Sequence, residues 1–97
     1  MTDAHHTRTV HVRIEGRVQG VYYRTWTAEN ARELGLNGWV HNRRGGGVEA
    51  VFSGEPEAVA EMLRRCEDGP REAAVTSVRI VSEGGGVPDG FSVRPTV

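Results

Sequence analysis

The chain has 97 residues, enough for one hydrophobic core and too few for two domains. A formal net charge of −1 offers no long-range field to nucleic acid or to a membrane surface, and no apolar run approaches the roughly 18 residues of a spanning helix. All twelve basic residues are arginine and there is one cysteine, which removes Schiff-base chemistry, the lysine of a Walker-type phosphate loop, an internal disulfide and the common zinc spacings.

Residues 1–7 (MTDAHHT) show no periodicity and are expected to fray as a tail carrying His5 and His6, leaving residues 8–97 as the folded domain. No apolar stretch of the signal-peptide kind follows Met1, so a cytoplasmic site is the expectation. From Arg8 to Glu15 the pattern alternates, with Val10, Val12 and Ile14 on one face and His11, Arg13 and Glu15 on the other, which predicts a half-buried strand. A loop, Gly16 to Gly20, follows. Tyr23, Thr27, Ala31 and Leu34 then recur at helical spacing, and Gly35 is placed to end that helix.

Leu36 to Arg43 and Val48 to Ser53 read as two strands joined by RRGGG, a hairpin whose Val48, Ala50 and Phe52 face inward. In GEPEAVAEMLRRCEDGP, Pro56 suits a first helical turn, Gly69-Pro70 stops the chain beyond the last, and Val59, Met62, Leu63 and Cys66 form the apolar stripe. Ala74 to Glu83 returns to alternation with Thr76, Val78 and Ile80 on one face, and Phe91 with Val93 gives a short last strand. The order βαββαβ predicts an α+β, ferredoxin-like sandwich: an antiparallel sheet with two helices on one face.

That fold hosts many activities, so function must come from a site. The stretch EGRVQGVYYR joins the first strand to the first helix, where backbone N–H groups and the positive end of a helix dipole meet an anion. Gly16 and Gly20 allow backbone angles and close approaches denied to other residues, and Arg24 in the first turn presents a planar fork of donors suited to phosphate oxygens. By spacing alone, the same glycines are equally compatible with a purely structural turn, and Arg17 with a solvent-facing loop residue. His11 and His41 alternate outward and are expected to be surface groups with no metal role; Trp26 and Trp39 read as packing residues.

Two stretches together resemble the acylphosphatase family. Its GRVQGVxFR loop is matched by Gly16-Arg17-Val18-Gln19-Gly20-Val21 followed by Tyr22, Tyr23 and Arg24, and its LGLxGWVxN motif by Leu34 to Asn42. VEAVFSGEPEAV and GPREAAVTSV resemble later stretches of the family, so the likeness covers roughly residues 8 to 94. The resemblance implies hydrolysis of a carboxyl–phosphate mixed anhydride to a carboxylate and inorganic phosphate, with no metal and no cofactor. It places phosphoryl binding on Arg24 and the amides of the 16–21 loop, and orientation of the attacking water on Asn42. The implied partner is a small-molecule acyl phosphate, not nucleic acid or membrane, and the chain is expected to act as a free-standing monomer.

Where the family commonly has glycine or phenylalanine and then phenylalanine, this chain has Tyr22 and Tyr23; Gly45-Gly46-Gly47 replaces an Asp-Gly turn, and His41 an arginine or lysine. A looser hairpin, less positive charge beside Asn42 and an altered pocket mouth are the expected effects. A rival reading, a binding module for RNA or a protein on the same fold, requires aromatics on the open sheet face and clustered basic charge.

Overall fold

The computed structural model describes residues 7–97; the expected tail, with His5 and His6, lies outside the described residues except for Thr7, which is exposed and in no strand. Seven elements follow in order: β1 (Arg8–Arg17), α1 (Tyr23–Glu33), β2 (Asn37–Asn42), β3 (Val48–Gly54), α2 (Pro56–Asp68), β4 (Ala74–Glu83) and β5 (Phe91–Val93). They build one five-stranded sheet in the order β4-β1-β3-β2-β5.

The alternation in β1 and β3 drives the layering. Val10, Val12 and Ile14 are fully buried, and so are Val48, Ala50 and Phe52, which pair with them across the antiparallel β1–β3 ladder. Each of these valine, isoleucine and phenylalanine side chains contributes on the order of 1.5–3 kcal/mol by leaving water. Both helices cover that one face. α1 lies over β2 and β5 and offers Tyr23, Thr27, Ala28 and Ala31, whereas α2 lies over β4, β1 and β3 and offers Val59, Met62 and Cys66. The Tyr23 hydroxyl donates to the Cys66 carbonyl at 2.7 Å, joining the two helices inside the core. Burial, first among the causes, raises the Tyr23 phenol well above its ordinary value, so this donor stays protonated.

Three features depart from the expected pattern. The sheet is not wholly antiparallel, because β5 returns to the outer edge of β2 and runs parallel to it, Gly38 opposite Phe91 and Val40 opposite Val93. Phe91 thereby enters the core and stacks on Phe52 with ring centroids 5.7 Å apart. In β4 the inward set is not Thr76, Val78 and Ile80. The register against β1 skips Thr76 and Val81: the first bulge puts Val75 in place of Thr76 on the face of Val78, and Ile80, on that same face opposite Val12, is left exposed. Third, His11 and His41 do project from the open face, but neither is a free surface group. Both ring Nε2 atoms bond the Glu49 carboxylate, His41 at 2.8 Å and only 7 % exposed, and Arg43 donates to the same carboxylate at 3.0 Å. Trp39 lies between the two imidazoles, its centroid 5.9 Å from His11 and 4.8 Å from His41, with the Arg94 guanidinium 4.9 Å over its ring.

Candidate active site

The bend after β1 begins at Gly16, at φ 118° opposite Val75. A Cβ there would sit 2.2 Å from the Ala74 carbonyl oxygen and 2.7 Å from the Thr76 nitrogen, so glycine is required by the close approach of β4 rather than by a ligand. Arg17 follows as an exposed strand end, Val18 and Val21 turn inward to the core, and Gly20, at φ 74°, has nothing within 4 Å of a Cβ position. The helix starts at Tyr23 without a side-chain cap. Its first internal donor is the Trp26 amide, bonded to the Tyr22 carbonyl at 3.0 Å. From Gly20 to Thr25, no described protein group accepts from the backbone N–H groups, and these are the donors that a helix N-terminus turns toward an anion.

Val18, Gly20, Tyr22, Tyr23, Arg24, Thr25 and Asn42 line one small cavity of about 100 Å³. Arg24, the second residue of α1, makes no ion pair or side-chain hydrogen bond with any described residue, leaving its donors uncommitted at the cavity wall. Asn42 comes from the far end of β2, 18 residues on in sequence, where it pairs with Val48 on the helix-covered side of the sheet. Its Oδ1 is buried and accepts no hydrogen bond from the protein. An acceptor kept out of bulk water with no partner costs about 1–3 kcal/mol, so its place in a cavity with a free guanidinium calls for a donor from a ligand or water. The structure thus brings Val18, Gly20, Arg24 and Asn42 to one cavity, while Gly16, Arg17, Gln19 and Val21 provide no part of its wall.

Gln19 has a task that the motif does not reveal. Its Nε2 donates to the Arg43 carbonyl at 2.8 Å and to the Gly47 carbonyl at 2.7 Å, binding the loop before Arg24 to the hairpin just after Asn42. Within that hairpin the Arg43 amide bonds the Gly47 carbonyl and the Gly46 amide the Arg43 carbonyl, each at 3.0 Å, so the three-glycine turn is closed by its own backbone and stapled by Gln19. On the other side of Asn42, Glu49 holds His41 and Arg43, the two neighbours of Asn42 in sequence. The Glu49 carboxyl titrates near 2: burial alone would raise it, and the donors His41, His11 and Arg43 together outweigh that effect.

The family model described as Acylphosphatase matches residues 10–93. An acylphosphatase of Rhizorhabdus wittichii is 48% identical over 90 residues, 93% of this chain and 89% of that one, and an acylphosphatase of Rhodospirillum rubrum is also 48% identical over 90 residues, 93% of this chain and 99% of its own. The solved structure of an acylphosphatase from Coxiella burnetii superposes with a TM-score of 0.86 at 37% identity, covering 97% of this chain and all of that one. With the loop, the uncommitted arginine and the strand-end asparagine in one cavity, and with likeness of this extent on both sequence and fold, the chain belongs to the acylphosphatase family.

Proposed function

We propose that Arg24 and the loop amides hold the phosphoryl group of an acyl phosphate while Asn42 orients the water that attacks it, the hydrolysis that gives the acylphosphatase family its name. The observation that supports these roles best is the pairing, in one cavity, of a guanidinium and a buried amide oxygen that both lack a partner among the described residues. The water donates one hydrogen bond to the Asn42 Oδ1, which turns a lone pair toward phosphorus. As the new P–O bond forms, the bond from phosphorus to the acyl oxygen breaks and its electron pair leaves on the carboxylate; the protons of the water end on inorganic phosphate and in solvent.

The leaving group is the conjugate base of an acid with pKa ~4, so it departs without a general acid. Charge on the three equatorial oxygens is met by donors already in place, Arg24 and the N–H groups of the loop and first helical turn. Positioning and electrostatic stabilisation suffice for this chemistry, which on this reading needs neither metal nor cofactor. The substrate is a small molecule, and among the described residues no helix is long and apolar enough to cross a membrane. A monomeric, cytoplasmic enzyme with its folded domain at residues 8–97 completes the reading.

Benzoyl phosphate hydrolysis followed by absorbance in excess chelator tests it, using wild type, Arg24→Ala and Asn42→Ala, each checked for native circular dichroism. Hydrogen bonds to charged groups are worth ~1.5–3 kcal/mol each, so folded Arg24→Ala is expected to fall by about two decades or more, and folded Asn42→Ala to lose activity through loss of the oriented water. Full activity in either variant would remove that residue from its role, and loss of wild-type activity in chelator would refute the metal-free mechanism.

A further inference from the structure

Among the described residues, Tyr22 is the one non-glycine at positive φ, at 70°. A bulky residue there is strained, and glycine would serve the turn without that cost. The side chain is 59 % exposed, so burial does not compensate. It is nevertheless held in place: the phenol donates to Glu29 Oε2 at 2.6 Å, seven residues along and two turns up α1, which lays the ring along the mouth of the Arg24–Asn42 cavity that it helps to line. The Glu29 carboxylate, the largest cause, raises the phenol above its ordinary value and keeps the donor protonated. An exposed aromatic ring, strained at its backbone and pinned at its tip beside a cavity, matches a ligand contact better than a fold requirement.

The size of the cavity says which part of the ligand reaches that ring. At about 100 Å³ the cavity falls well below the roughly 300–1,000 Å³ of pockets that enclose drug-sized ligands, so it does not take up a large acyl group together with the phosphoryl group and its water. The acyl group of the substrate must therefore extend past the mouth. Val18 and Tyr23 are buried beneath it, and Tyr22 is the exposed aromatic among the lining residues. A flat apolar acyl group gains area and stacking on that face, whereas an acyl group with its own negative charge is repelled by the Glu29 carboxylate bonded to the phenol.

Resting on the acyl-phosphate reading of the site, we propose that Tyr22 is a specificity-determining residue that selects uncharged, planar acyl groups, aromatic ones above all. The test compares kcat/KM for benzoyl phosphate and acetyl phosphate in wild type, Tyr22→Gly and Tyr22→Phe, beside the Kd of the non-hydrolysable benzoylphosphonate and acetylphosphonate. The benzoyl-to-acetyl ratio is expected to fall about tenfold in Tyr22→Gly, chiefly through KM, and to stay within about threefold of wild type in Tyr22→Phe, which retains the ring. The phosphonate Kd ratio is expected to move in parallel. A merely structural Tyr22 would shift both substrates together, so an unchanged ratio in Tyr22→Gly overturns the proposal. If the folded wild type hydrolyses neither compound, the hydrolytic reading fails, and the phosphonate Kd ratio alone decides whether Tyr22 contacts the acyl group.

Discussion

At Glu49 three side chains converge on one carboxylate, His11 from β1, His41 from β2 and Arg43 from just beyond β2, and the last two flank Asn42 in sequence. The carboxyl titrates near 2 in the fold against 4.5 unperturbed. A depressed folded value stabilises the native state fully above the unfolded value and loses that contribution as pH falls through the folded one. Wild type is therefore expected to lose on the order of 3 kcal/mol of unfolding free energy from this group between about pH 4.5 and 2. Urea melts across that range should show a shallower decline in Glu49→Gln; equal slopes would mean that the carboxylate is not held as the geometry indicates. None of this could be read along the chain. The alternation correctly turned His11 and His41 away from the core, but that they share Glu49 depends on register: the β2–β3 hairpin sets His41 opposite Glu49, and the β1–β3 ladder brings in His11 from much farther back in the chain.

The loop between β1 and α1 was legible as an element because its signals are local: strand alternation stops, helical spacing starts, and two glycines stand between. Their separate reasons were not. A Cβ on Gly16 would collide with the backbone of β4, a strand almost sixty residues later, whereas one on Gly20 would meet nothing. Gly16→Ala is accordingly expected to cost about 2–4 kcal/mol, combining overpacking with a forbidden backbone angle, and Gly20→Ala about 1 kcal/mol from the angle alone. Chemical denaturation of the two variants checks the contrast; similar losses would show that β4 yields to the methyl group. The same strand defeats simple alternation elsewhere. Its bulges at Thr76 and Val81 change which side chains face inward, and a period-two reading carries no sign of an inserted residue.

For the molecule as a whole, element order, the two-layer arrangement and the motif carrying Arg24 and Asn42 could all be read from residue patterns, since each is set by neighbours in sequence. The parallel return of β5, the Gln19 staple and the strain at Tyr22 could not, because each depends on where distant backbone lies. One global property has a chemical side. Every cation pairing with a carboxylate in the described residues is arginine or histidine, as in Arg65 with Glu33 and Glu61 or Arg8 with Glu83, and the sequence has no lysine at all. Acyl phosphates are acylating agents, and an amine with a free electron pair is their natural target. Guanidinium stays protonated and presents no such pair. The one thiol, Cys66, lies fully buried, and burial foremost pushes it up to about 12. Peptide mass mapping after prolonged exposure to acetyl phosphate should consequently show no side-chain amide adduct, while a surface Arg71→Lys variant gains one at that position. Its side chains thus offer no lysine amine to a reagent that labels other proteins.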